Sequence, residues 1–220
     1  WGDIKGGADG LFDHDTRFLS RLALTIGGAR PSRLSSGVSR DNVFFICHST
    51  NRLLPPMGER STPGGVLHVE RRRFLHDARL FERVRISNHG IEEVLAPVAY
   101  EFAADFHDIF QVRGTPRPRQ GRMEPPSFDG RRVTFAYLGL DEVERRCCLA
   151  FSEPPARLHA RRADFMFSLP PGRRIDLYLE VGVDSCEAPG RERFRLHAAR
   201  ARLGARRRRR RGAGVRAHGD

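Results

Sequence analysis

The sequence predicts an all-β protein, a large antiparallel β-sandwich with few or no helices. Three observations predict it. Apolar residues recur at every second position over most of residues 1–190, the period of a half-buried strand. Helical spacing is nearly absent. Clusters of Gly, Pro, Asn and Asp punctuate the chain at hairpin intervals. At 220 residues the chain is long enough to bury a proper core.

The elements follow in order. The turn-forming run GGADG leads into Leu11 and Phe12, and Phe18, Leu22, Leu24 and Ile26 then alternate as a strand that ends at Gly27-Gly28. Val43 to Cys47 (VFFIC) is a short continuous apolar run, as expected of a strand covered on both faces. A Pro- and Gly-rich loop with Pro55, Pro56, Gly58, Pro63, Gly64 and Gly65 separates it from a strand over Val66 to Leu75. Leu80, Val84 and Ile86 alternate up to Asn88-His89-Gly90, whose turn chemistry predicts a hairpin. The return strand places Val94, Ala96, Val98, Tyr100, Phe102, Ala104 and Phe106 on one face. Pro97 within it predicts an edge or a bulge.

Thr115 to Gly130 reads as an irregular loop. A second hairpin puts Val133, Phe135 and Tyr137 against Val143, Cys147, Leu149 and Phe151. Phe165, Phe167 and Leu169 follow, and Ile175, Leu177, Leu179, Val181 and Val183 form the inward face of the last strand. Nine to eleven strands at this spacing give a supersandwich-like architecture.

The formal charge of +12 is unevenly placed. Residues 191–220 carry twelve Arg against Glu192 and Asp220, a local +10 that leaves residues 1–190 at only +2. This tail has almost no apolar residues and is expected to be disordered. Two readings of it stand. Arg206 to Arg211 could bind phosphate backbones without sequence preference. Alternatively, an out-of-frame translation of GC-rich DNA yields the same Arg, Ala and Gly composition. The organisation expected is a lead-in over residues 1–9, a sandwich domain over 10–186 and a low-complexity tail over 187–220.

Cys147 and Cys148 are adjacent and point to opposite faces of a strand, so they suit neither one metal site nor a mutual bridge. With Cys47 and Cys186 they are expected to be free thiols in a reducing cytoplasm. No metal or cofactor is expected. No run of eighteen apolar residues predicts a membrane span, and WGDIKGG has neither a basic start nor an apolar core, so no signal peptide is expected. A start on Trp1 predicts a fragment.

Two polar clusters at strand mouths carry the functional signal, GLFDHDTRFLS (Gly10 to Ser20) and AADFHDIFQVRG (Ala103 to Gly114). With RLSSGVSRDNVFFICHSTN, VLHVERRRFLHDARLFERVRISNHG and YLGLDEV, they make residues 10–183 resemble the N-terminal domain of bacterial glycogen-debranching-enzyme-type proteins, the amylo-α-1,6-glucosidase family. The family pattern falls on Gly10, Leu11, Phe12, Asp15, Thr16, Arg17, Leu19 and Ser20. It falls again on Asp105, Phe106, Asp108, Phe110, Val112, Arg113 and Gly114. Asp13-His14 departs from it.

The resemblance implies a β-sandwich that precedes an (α/α)6-barrel glycoside hydrolase domain, with an α-glucan or oligosaccharide as substrate. That barrel has no counterpart in these 220 residues, so no catalytic residue is expected in the chain. Asp15, Thr16, Arg17, Asp105, Asp108 and Arg113 are the candidates for lining the substrate rim or docking the catalytic domain. The plainer expectation is bracing: an Asp15–Arg17 pair with Thr16 capping a turn, and an Asp108–Arg113 pair. Arg71-Arg72-Arg73 reads as a solvated or ion-paired strand face. The alternatives in other classes are a stand-alone carbohydrate- or protein-binding sandwich and a nucleic-acid binder acting through the tail.

Overall fold

The computed structural model describes residues 2–52 and 62–216, with side chains up to Arg209. Its strands are β1 (Leu11–Asp13), β2 (Thr16–Leu19), β3 (Arg21–Ile26), β4 (Ser32–Val38), β5 (Phe45–Thr50), β6 (Leu67–His76), β7 (Arg79–Asn88) and β8 (Val94–Ala103). After the short helix α1 (Ile109–Val112) come β9 (Arg122–Met123), β10 (Ser127–Asp129), β11 (Arg132–Leu138), β12 (Glu144–Phe151), β13 (Arg157–His159), β14 (Arg162–Leu169) and β15 (Arg174–Val183). Helix α2 (Arg191–Arg216) follows. The expected loop over 53–61, with Pro55, Pro56 and Gly58, lies outside the described residues.

Two antiparallel sheets share one core. The large sheet runs β10-β11-β12-β15-β7-β6-β5-β4, with β9 added on β11, and the small sheet runs β13-β14-β8-β3. The alternation read for β8 and β15 is the alternation seen: Val94, Ala96, Val98, Tyr100 and Phe102 meet Leu177, Leu179 and Val181 in the core. The hairpin β11–β12 forms as expected, with Phe135 opposite Cys147, except that Val143 precedes β12 and is exposed instead of facing the core.

Several expectations are corrected. The strands flanking Asn88-His89-Gly90 do not pair. β7 lies between β6 and β15, and the chain crosses to the small sheet, where β8 lies between β14 and β3. Asn88 holds the crossover: its amide donates to the Glu92 and Leu169 carbonyls (both 2.8 Å) and its side-chain oxygen accepts from Gly90 N–H (2.8 Å). β8 is therefore not an edge strand. Pro97 is tolerated because a strand residue's N–H and C=O point to the same side. Its carbonyl accepts from Gly27 N–H (2.8 Å), just past the end of β3, so the missing donor also faces the strand end. The 115–130 loop contains β9 and β10, two- and three-residue strands too short for periodicity to show.

The tail departs most. Residues 191–216 form α2, which lies on the outer face of the large sheet. Phe194, Ala198, Ala201 and Ala205 recur at i, i+4, i+7 and i+11 and are buried, and Phe194 packs edge-on against Phe74 at 5.1 Å. Arg and Ala are strong helix formers, so the composition that reads as low complexity is also helix-permissive. Fully buried Glu180 anchors the helix by accepting from Arg193 Nε (2.6 Å) and Nη2 (3.0 Å), with Arg79 at 3.0 Å from the same carboxylate.

Cys148 and Cys186 form a disulfide, with Cα atoms 5.7 Å apart, while Cys47 and Cys147 are free and buried. The chain doubles back after β15 so closely that a Cβ on Gly182 would sit 2.1 Å from the Ser185 carbonyl oxygen. Gly182 is the cross-strand neighbour of Cys148, so this return delivers Cys186 to it. The expectation of four free thiols overlooked that return.

Thiol labelling in denaturant without reductant should find two reactive cysteines, Cys47 and Cys147. Reduction should lower stability by about 3–4 kcal/mol, the loop-closure value for cysteines 38 residues apart. Four thiols in the untreated protein would contradict the bridge.

Candidate functional site

The two polar clusters come together. β1 and β2 form a tight hairpin whose turn carries His14 at φ 50. The second cluster leaves β8 through Phe106, a buried aromatic residue also at positive φ (53). Such a conformation costs roughly 1–3 kcal/mol and survives only where packing over-determines it. Phe106 stacks on Tyr137 with ring centroids at 5.4 Å and meets Phe18 edge-on at 5.5 Å. The reversal at Phe106 turns the chain onto β2. Arg17 N–H donates to the His107 carbonyl (2.8 Å), Ile109 N–H donates to the Asp15 carbonyl (2.9 Å), and Thr16 bridges Asp108.

Arg17 is the centre of this junction. Its side chain is 7% exposed, and it grips Asp105 with Nε (3.1 Å) and Nη2 (2.5 Å), while Nη1 donates to the Gly7 (2.5 Å) and Asp9 (3.2 Å) carbonyls. A planar guanidinium can satisfy all of these acceptors at once, which an ammonium cannot. Gly10 is required for the same reason: a Cβ there would lie 2.4 Å from Arg17 Cδ.

Asp108 caps α1. Its Oδ1 accepts from Phe110 and Gln111 N–H (2.8 and 2.9 Å), Gln111 Oε1 accepts from Asp108 N–H (3.1 Å), and Oδ2 takes Arg117 Nε at 2.8 Å. Burial pushes this carboxyl up, but the Gln111 N–H and the Arg117 guanidinium outweigh burial and hold it below the usual carboxylate range.

The expected braces are thus re-paired. Arg17 binds Asp105 instead of Asp15, because Arg17 is buried in β2 against the segment that leaves β8, while Asp15 lies in the exposed turn before β2. Asp108 binds Arg117 instead of Arg113, which ends α1 and is exposed. Thr16 caps no turn; it enters β2 and bridges Asp108 through its backbone.

What remains outward is Asp15, Arg113 and Phe110, whose ring is 55% exposed with Arg117 over it at 5.7 Å. Phe110 and Arg117 carry no signal as a pair in the sequence, since the first looks like a core residue and the second like loop charge. Glycoside hydrolysis needs two free carboxyl groups across the scissile bond, roughly 5–9.5 Å apart. In these loops Asp105 and Asp108 are committed to structure, which leaves Asp15 and, beside the exposed His14 at 3.3 Å, Asp13.

The sequence model of a family described as the N-terminal domain of (some) glycogen debranching enzymes matches residues 1–180. The chain belongs to this family. A search of curated proteins found no match. Among solved structures, a protein described as a kojibiose phosphorylase from the human microbiome superposes with a TM-score of 0.53 at 5% identity, over 87% of this chain and 26% of its own. The chain therefore spans about a quarter of that protein's length, and the likeness is one of fold. The Slr1438 protein from Synechocystis sp. PCC 6803 gives a TM-score of 0.41 at 10% identity, covering 70% of this chain and 65% of its own. Family membership agrees with the resemblance carried by the two clusters. The matched span also includes residues 2–9, which are built into the sandwich: Ile4 bridges Leu22, and Asp3 is 3% exposed between Arg30 and Arg71.

Arg17→Ala should cost about 3 kcal/mol, the value of charged hydrogen bonds lost around a part-buried carboxylate. Arg17→Lys should recover little of it. Asp108→Ala should cost about 1 kcal/mol, as a lost N-cap does. Urea unfolding checks the order. Equal losses for Arg17→Ala and Asp108→Ala would contradict the central place given to Arg17.

Proposed function

We propose that this chain is an accessory domain of a glycogen-debranching-type glycoside hydrolase, which packs on an (α/α)6 catalytic domain and completes the rim of its α-glucan cleft. The observation that carries the proposal is the junction of the two clusters. Loops 88 residues apart in sequence are locked by Arg17–Asp105 into one rigid surface, and that surface presents a carboxylate, a guanidinium and an aromatic face outward. A carboxylate and a guanidinium can each engage vicinal sugar hydroxyls through paired hydrogen bonds. A preorganised rim costs little to order when substrate arrives.

Hydrolysis, in this reading, belongs to the catalytic domain and its own carboxyl pair. Asp105, Asp108 and Arg17 act by positioning; Asp15, Phe110 and Arg113 touch the barrel or the glucan. No described helix is long and apolar enough to cross a membrane, and the proposal places the work in cytoplasmic glucan metabolism. A Cys148–Cys186 bridge is uncommon in that compartment, so the thiol count bears on this part as well.

The test uses a full-length enzyme that contains this domain. Asp15→Ala, Phe110→Ala and Arg113→Ala should leave the melting temperature unchanged while raising KM for branched α-glucan about fivefold, the value of one hydrogen bond for Asp15 and Arg113 and of one ring contact for Phe110. If KM and kcat stay unchanged in all three folded variants, the rim reading fails. Glucan binding of equal strength by the isolated 220-residue chain would favour a stand-alone carbohydrate-binding module.

A further inference from the structure

The outer face of the large sheet carries a second polar feature that the rim does not use. A cleft of about 300 Å³ opens between α2 and the sheet, and six arginines line it: Arg72, Arg83 and Arg85 from the sheet, and Arg191, Arg195 and Arg202 from the helix. No acidic residue lines it. Three carboxylates pair with members of the set. Glu70 takes Arg83 Nη2 and has Arg72 Nε at 2.9 Å, Asp176 takes Arg85 at 2.7 and 2.8 Å, and Asp41 takes Arg202 at 2.9 Å. Arg191 and Arg195 form no ion pair among the described residues. The cleft holds six positive charges against those three carboxylates.

Three features of this arrangement are unfavourable when the cleft holds only water. Arg72 and Arg83 are directly opposite each other in the β6–β7 register, where like charges repel. Both share one Glu70 oxygen, and the Nε of each is buried without a hydrogen bond, Arg72 Nε being close to that oxygen but misaligned. Arg191 and Arg195 occupy the first turns of α2, the positive end of the helix dipole, where cations are disfavoured. Tyr178 lies between the two sides of the cleft: burial and the Asp176 carboxylate raise its pKa, against the opposing pull of Arg83, Arg191 and Arg85 from sheet and helix. One bound anion would relieve all three.

We propose that this cleft is a binding site for a phosphate group, either free orthophosphate or a phosphate ester of a sugar. Planar guanidinium forks on two sides suit the several oxygens of a phosphate dianion. The volume admits a phosphomonoester. Because the ligand bridges α2 to β6 and β7, binding tightens the docking of the helix. The proposal goes beyond the rim function and does not rest on it.

Calorimetric titration of the 220-residue chain at constant ionic strength tests it, with orthophosphate, glucose 1-phosphate and glucose 6-phosphate as probes and chloride and glucose as references. Saturable binding with Kd of about 0.1–1 mM is expected for at least one phosphate probe, and none for glucose. A sugar phosphate that binds at least tenfold tighter than orthophosphate identifies an ester ligand; comparable values identify the free ion. Arg191→Gln/Arg195→Gln, on the helix surface, should weaken binding at least tenfold. Arg206→Gln/Arg207→Gln, elsewhere on the same helix, should not. No saturation by about 10 mM phosphate would overturn the site. So would equal weakening in both double variants, or binding of duplex DNA that phosphate does not displace, since either is general electrostatics.

Discussion

The fold is organised around one buried carboxylate. Glu82 on β7 is fully buried, accepts from Arg71 Nε and from the Tyr100 hydroxyl at 2.9 Å each, and binds Arg73 through its second oxygen. Arg71 and Arg73 come from β6 in the same large sheet, and Tyr100 comes from β8 across the core. Arg71 also donates to Asp3 at 2.5 Å, and Arg73 donates to the Gly2 carbonyl. Both sheets and the N-terminal segment therefore meet at a single ion. Moving that ion from water is costly, and the cost is offset only while every partner stays in place. Burial works against the charge on Glu82, but Arg71 and then Arg73 outweigh it and hold its pKa well below the usual carboxylate range.

That constraint reaches the surface through the N-terminal segment. Residues fixed at Gly2 and Asp3 lead to the Gly7 and Asp9 carbonyls, which accept from Arg17, and Arg17 in turn holds Asp105. Core and rim are thus joined by two buried guanidinium clusters with a few residues of backbone between them. On the opposite face Glu180 repeats the device with Arg79 and Arg193, and the Cys148–Cys186 bridge fixes the segment that enters α2. The helix covers Phe44, Phe74, Phe81 and Tyr178, which would otherwise form an exposed aromatic patch.

Alternation made the cores of β8 and β15 legible, because a strand buried on one face repeats every second residue. Other signals were less legible. Arg71 and Arg73 share the inward parity of Leu67 and Val69 and are buried as parity has it; of the two readings of this run, solvated or ion-paired, the second holds, since Glu82 on β7 binds both and Glu70 binds Arg72. Asn88-His89-Gly90 has the chemistry of a hairpin turn, but turn residues do not say whether the next strand returns to the same sheet. In the tail, apolar positions at i, i+4, i+7 and i+11 were present but hidden among arginines, and small alanines carry little signal in a hydropathy reading. The two clusters were legible as a pair. Their ion pairs were not, since partners 88 residues apart leave no local trace.

The most direct measurement of this account is the stability of Glu82→Gln against the parent chain across pH. The Glu82 carboxyl titrates near 4.5 when unfolded and about 2 when folded, so the unfolded chain takes up the proton first as pH falls. Its contribution is present above about pH 4.5 and is lost progressively toward pH 2. At neutral pH, Glu82→Gln should be less stable by about 3–5 kcal/mol, because it leaves Arg71 and Arg73 buried without their counter-ion. That difference should shrink as the pH is lowered through the window. A difference that is small at neutral pH, or that does not change with acidification, would contradict the central place given to Glu82.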